Sequence, residues 1–145
     1  MRIVVGSDHA GFALKEHIKA TLAAAGHDVV DVGTTSPESV DYPQFAAQGA
    51  HAVAAGEADR AVLACGSGNG VAIAANKVAG IRAVNAHDVD EAEMARRHND
   101  ANVITLSGSR LAPRDADAIV ARFLTAPFEG GRHQRRVDQI ARIEP

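Results

Sequence analysis

The chain has 145 residues, 46% of them hydrophobic and 3% aromatic, with 15 Lys and Arg against 18 Asp and Glu for a formal charge of −3. That length suits one domain with a substantial core, and the mild acidity offers no clustered positive field to attract nucleic acid or an anionic membrane. Charged residues or His interrupt every apolar run before the roughly 20 residues that a membrane span needs, and Cys65, the one cysteine, excludes an internal disulfide framework. With no cationic start leading into an apolar run, the cytoplasm is the expected compartment.

RIVVG at residues 2–6 predicts a first strand, and the loop GSDHAG (Gly6 to Gly11) leads into a helix over FALKEHIKATLAAAG, ended by Gly26. HDVVDV (27–32) predicts a second strand. A long loop holding Tyr42, the only tyrosine, then precedes a helix over PQFAAQGAHAVAAG, begun by Pro43 and ended by Gly56. RAVLAC (60–65) is the third strand, and the glycine-rich turn CGSGNG (Cys65 to Gly70) opens a helix near Gly70. IRAVNA (81–86), DVDEAEMARRHND (88–100), NVITLS (102–107) and PRDADAIVARFLTA (113–126) add strand, helix, strand and helix. A basic helix from about 131 to 145 closes the chain.

Strands joined through helices must run parallel, and right-handed crossovers place helices on both faces. The expected fold is therefore α/β, a doubly wound Rossmann or flavodoxin-like sheet of five parallel strands in the order 2-1-3-4-5. Its ligand belongs outside the carboxyl ends of the strands, at the switch point between strands 1 and 3. GSDHAG and CGSGNG both lie there.

Neither loop fits a standard phosphate signature. Gly11 is followed by Phe12 and Ala13 where a nucleoside triphosphate loop wants Lys and Ser or Thr. The G-x-G-x-G of the second loop follows the third strand and has the wrong last spacing for a dinucleotide fingerprint, and a cysteine phosphatase would need Arg at position 71, which is Val. What remains is a row of small residues, Gly66, Ser67, Gly68, Asn69 and Gly70, whose amides offer an anion site for a phosphate, a carboxylate or a reaction oxyanion. Asp8 and His9 suit proton transfer or polar binding, while a simple cap of the next helix by Ser7 or Asp8 is the structural alternative. Beside the start of a helix, the positive end favours a thiolate at Cys65, able to attack or to take a proton; core packing is the alternative.

His98, in RRHND, ends a helix at the amino edge of the sheet, so it joins the switch-point loops only if another subunit brings it there. Arg110 follows the fifth strand at the ligand-bearing edge. In GGRHQRRVDQI, Arg132 and Arg136 lie four apart on one helix face beside His133 and Arg135, as either a solvated surface or a phosphate clamp. His9, His98 and His133 look too scattered for a metal site.

Six segments, GSDHAGFALK (6–15), DYP (41–43), CGSGNGVAIAANKVAGIRA (65–83), RHNDANV (97–103), GSR (108–110) and EGGRHQRRV (129–137), are in register over nearly the whole chain. Together they resemble the ribose-5-phosphate isomerases of type B, within the sugar-phosphate isomerases that include galactose-6-phosphate isomerase. The resemblance implies one sugar-phosphate isomerase domain over residues 1–145 that interconverts ribose 5-phosphate and ribulose 5-phosphate with no metal or organic cofactor. It implies Cys65 as the base at carbon 2, the loop amides as the enediolate site, and Ser67 as an aid to proton movement between the two oxygens. A second branch carries Glu at the position of Val71, so this chain goes with the cysteine enzymes.

The resemblance also implies that His98 protonates the furanose oxygen, with Asp8 at the anomeric hydroxyl. His9, Arg132 and Arg136 match phosphate-binding positions; Tyr42, Asn99 and Arg110 match other substrate contacts. The sites of that family form at a dimer interface, so a homodimer with shared sites, paired in some cases into a tetramer, is expected. Two other functions stay open: an isomerase preferring a six-carbon substrate such as allose 6-phosphate, and a non-catalytic nucleotide-binding module. A galactose-6-phosphate isomerase subunit fits less well, because that enzyme divides the catalytic residues between two different chains.

Overall fold

The computed structural model describes residues 1–145, along which β1 (Arg2–Ser7), α1 (Phe12–Ala24), β2 (Asp28–Asp31), α2 (Tyr42–Ala54), β3 (Arg60–Cys65), α3 (Asn69–Ala75), β4 (Ala83–Asn85), α4 (Val89–Asn99), β5 (Val103–Ser107), α5 (Pro113–Thr125) and α6 (Arg132–Ala141) follow one another. Every expected element forms. Tyr42 is the first residue of α2 and not part of the preceding loop, and the last helix stops at Ala141, short of residue 145.

All four strand pairings are parallel, with Val5 beside Val62 and Cys65 beside Ser107. The order is β2-β1-β3-β5-β4, which corrects the expected 2-1-3-4-5 in its last two places. Burial explains the exchange. Every residue of β5 is buried, so VITLS has to be covered on both faces and takes a central slot between two neighbours. β4 has only three ladder residues, of which Val84 and Asn85 are half-buried, and such a short strand suits an edge.

Two apolar layers sandwich the sheet. Leu14, Ile18 and Leu22 of α1, Ala92 and Ala95 of α4, and Ile119 and Phe123 of α5 cover one face with Ile3, Val5 and Ile104. Ala46 and Ala50 of α2 and Val71 and Ala75 of α3 cover the other with Val4, Leu63 and Val103. The abundant alanines bring helix backbones close to the strands, and the chain leaves β1 outward to β2 and returns to β3 on the far side. That reversal leaves the crevice at the carboxyl ends of β1 and β3. No helix is long and apolar enough to cross a membrane.

Candidate active site

Two glycines let the switch-point loops touch. A Cβ on Gly11 would sit 2.6 Å from the Ala64 carbonyl carbon, and one on Gly108 would sit 2.5 Å from the Ala10 carbonyl oxygen, so only glycine fits at either place. The β1–α1 loop therefore lies directly against the ends of β3 and β5. Asp8, 6% exposed, accepts the Gly11 N–H at 3.0 Å and so holds its own loop closed. His9 Nδ1 lies 3.2 Å from the Val40 N–H and 3.3 Å from the Val40 carbonyl, tying the loop to the segment before α2.

Cys65 ends β3 at 4% exposure and packs into the α2–α3 layer, which meets the packing expectation. Its Sγ accepts the Gly68 N–H at 3.2 Å. Gly68 adopts φ +81°, a left-handed conformation that turns the chain into the seven-residue α3. The N–H groups of Gly66, Ser67 and Gly70 meet no protein acceptor, whereas that of Asn69 is taken by Ser67 Oγ at 3.1 Å. Unpaired amides around a sulfur are what an oxyanion or a thiolate needs. Tyr42 closes the far side, its ring where a Gly70 Cβ would lie 2.5 Å away. Arg110, exposed, follows β5 at the same edge, with its N–H on Ser107 Oγ at 3.2 Å.

Three residues that sequence reasoning passed over hold this loop. Ser107 Oγ donates to Gly66 O at 2.6 Å, Thr105 Oγ1 donates to Gly68 O at 2.8 Å, and Asn85 Nδ2 donates to Ser67 O at 3.1 Å and Asn69 Oδ1 at 2.7 Å. The polar residues Asn85 at the end of β4 and Ser107 at the end of β5 were the available signal, but only the true strand order sets Ser107 beside the β3 loop.

Asp8, His9, Tyr42, residues 65–70 and Arg110 thus share one edge. His98, Asn99, Arg132 and Arg136 do not join them. Val103 starts β5 opposite Ala61, and four strand steps separate that level from Cys65 and Ser107, about 13 Å. His98 and Asn99 end α4 just before it. Asn99 lines a cavity of about 610 Å³ with Arg82, Ile81, Ile140 and Ile143, away from the glycine-rich loop.

At this second edge His98 and His133 stack, ring centroids 4.2 Å apart and planes 9° from parallel. Both Nε2 atoms lie 3.8 Å from Glu129 Oε1, and Glu129 Oε2 pairs with Arg97 at 3.1 Å. The expectation of scattered histidines is thus corrected for His98 and His133, which α4 and α6 bring together, while His9 stays at the other edge. Their ligand atoms and that of Glu129 lie within 4.8 Å of one another. Parallel rings aim their lone pairs side by side and Arg97 neutralises the carboxylate, which suits a charge-paired stack better than a metal centre. Burial first, then the nearby charges of His98 and Arg132, push the His133 pKa below its usual value. Arg132 and Arg136 are exposed on α6 and free to meet an anion.

Comparison with known proteins identifies the family. The profile of the family described as Ribose/Galactose Isomerase matches residues 3–140. Ribose-5-phosphate isomerase B of Escherichia coli K12 is 50% identical over 144 residues, covering 99% of this chain and 96% of its own. The structure of Clostridium thermocellum ribose-5-phosphate isomerase B superposes with a TM-score of 0.98 at 47% identity, over 99% of this chain and 97% of that one. Ribose-5-phosphate isomerase B of Mycoplasma genitalium, with ribulose-5-phosphate bound, superposes with a TM-score of 0.94 at 42% identity, over 98% of this chain and 95% of that one. Sequence and fold converge, and the chain belongs to the ribose/galactose isomerase family.

Proposed function

We propose that this protein, as one domain over residues 1–145, interconverts D-ribose 5-phosphate and D-ribulose 5-phosphate through a cis-enediolate, without metal or organic cofactor. Full-length similarity to ribose-5-phosphate isomerases B supports the substrate. The observation that carries the mechanism is Cys65 Sγ beside a loop with unpaired amides at Gly66, Ser67 and Gly70. A proton α to a carbonyl leaves slowly in water because the resulting oxyanion is poorly stabilised, so a base next to preorganised N–H donors is the minimum apparatus.

In this reading His98 gives a proton to the ring oxygen, Asp8 takes one from the anomeric hydroxyl, and the C1–O bond opens to the aldehyde. Cys65 then removes the C2 proton, the amides of residues 66–70 hold the enediolate, Ser67 helps move the hydroxyl proton, and the proton returns at C1. His9, Arg132 and Arg136 hold the phosphate; Tyr42, Asn99 and Arg110 line the sugar. Because His98 and Cys65 lie at opposite edges of one chain, the site requires a partner subunit, and we assign a homodimer with shared sites, working in the cytoplasm. The phosphate goes to the arginines and not to the glycine-rich loop, since one loop cannot hold both ends of an extended sugar.

Steady-state turnover of ribose 5-phosphate and allose 6-phosphate by the metal-stripped protein tests the assignment. A higher kcat/KM for the pentose is expected. Preference for the hexose would move the protein to the six-carbon substrate, and turnover of neither would return it to a nucleotide-binding role.

A further inference from the structure

We infer that Glu129 is the positioning residue for His98 in ring opening, acting with the face of His133; the inference rests on the reading of His98 as the acid. Three observations converge on one carboxylate. Glu129 is anchored twice to the residue next to His98: its N–H donates to the Arg97 carbonyl at 3.0 Å, and its Oε2 pairs with the Arg97 guanidinium at 3.1 Å. Its free oxygen, Oε1, faces His98 Nε2 at 3.8 Å, an ion-pair distance slightly longer than a hydrogen bond. The His98 ring is fixed in the remaining direction by the parallel face of His133, which is 5% exposed and cannot swing away.

The chemistry follows from which nitrogen is occupied. A carboxylate that faces Nε2 orients the imidazole once the two close to hydrogen-bond distance with substrate bound, and Nδ1 is then the nitrogen left to serve the ring oxygen, the division of labour seen where an acid–base histidine is backed by a carboxylate. Charges around the stack are Glu129 from the loop, Arg97 from α4, and Arg132 and Arg136 from α6. Among these charges Glu129 is the carboxylate that faces both imidazoles, with its Oε1 3.8 Å from each Nε2. His133 Nε2 is buried with no hydrogen-bond partner and shares the same oxygen. Burial and the neighbouring charges push its pKa below the usual value, and its buried ring serves as a wall for His98.

Ring opening is needed for ribose 5-phosphate and not for ribulose 5-phosphate, whose phosphorylated O5 cannot close a furanose. Two reactions of the same enzyme therefore separate the roles: conversion of ribose 5-phosphate, and wash-in of deuterium at C1 of ribulose 5-phosphate in D2O, followed by NMR. Glu129→Gln keeps an acceptor for Arg97 and removes the charge. It should lower kcat for ribose 5-phosphate about tenfold or more, with KM within about threefold and deuterium wash-in within about twofold of wild type. His133→Ala should show the same split. D-erythrose 4-phosphate, an aldose phosphate that cannot form a furanose, gives a second comparison and should be isomerised by both variants at the wild-type rate. Parallel loss in all reactions would make Glu129 a structural residue, and no loss in any would remove it from the mechanism. Absence of ribose 5-phosphate turnover in the wild-type protein would instead refute the underlying assignment.

Discussion

Cys65 Sγ and the Gly68 N–H lie 3.2 Å apart across a turn that no β-carbon at position 68 would permit. The sulfur is held by the loop that is proposed to stabilise the product of its own proton abstraction. The proposed base and its proposed oxyanion donors are thereby joined by one contact, and substitutions on either side of it should affect turnover more than binding.

Cys65→Ala should lower turnover of ribose 5-phosphate by about 10²-fold or more, the usual worth of a positioned base. Sugar-phosphate binding, read by calorimetry, should stay near the wild-type value, because the phosphate contacts lie elsewhere. Retention of more than about a tenth of wild-type turnover would remove Cys65 as the base.

Gly68→Ala tests the loop. Its φ of +81° is a left-handed conformation, and the added Cβ would strike Asn85 Oδ1 and come within 3.0 Å of the Leu106 carbonyl carbon. The conformation alone costs about 1 to 2 kcal/mol for a residue with a β-carbon. We expect a lower melting temperature in calorimetry and a loss in kcat that exceeds any rise in KM. Unchanged kcat in a destabilised variant would mean that the loop amides do not carry the reaction.

The two edges of the subunit predict complementation. Cys65→Ala and His98→Ala proteins, each inactive alone, should regain activity after subunit exchange, because a mixed dimer carries one site with both residues intact. Equal mixing gives about a quarter of the wild-type sites when exchange is complete in a two-fold dimer. Proven exchange with no recovery would refute shared sites.

Acid stability should depend on Asp31. Its carboxylate holds the Lys15 ammonium, 2% exposed, at 2.7 Å, with Glu16 at 3.0 Å and the Thr34 carbonyl at 2.7 Å as the other partners. Partial burial alone would raise the Asp31 pKa, but hydrogen bonds from Lys15, Lys19 and the Gly33 N–H outweigh it and hold the pKa below the usual value. A lowered folded pKa contributes stability that is present above the unfolded value, near 3.9, and lost as pH falls through the folded value. Asp31→Asn should therefore cost about 1.5 to 3 kcal/mol at neutral pH, the usual worth of a hydrogen bond to a charged group, since Lys15 keeps Glu16 and the Thr34 carbonyl as partners. Denaturant titrations at neutral pH and below pH 4 read the difference, which should shrink toward low pH.

Local patterning was enough to read most of the architecture. Val and Ile runs alternating with helical stretches of about 12 residues fold in only a few ways, and parallel pairing through helices places GSDHAG and CGSGNG at one crevice whatever the outer strand order. The position of Cys65 between an apolar strand and a glycine-rich turn marked it for the same reason. Ser107 and Thr105 carried no such mark, because their hold on the loop depends on β5 taking the place beside β3, and that placement comes from the two-sided burial of VITLS, a property of the packed sheet. The meeting of His98, Glu129 and His133 was equally hidden, since it needs α6 to dock on α4 across more than 30 residues of chain. The sequence by itself determined the elements and the crevice with Cys65 beside it, because periodicity and loop chemistry act over a few residues. Tertiary structure alone decided the strand order, the support of the loop and the histidine stack, because those depend on which surfaces bury one another.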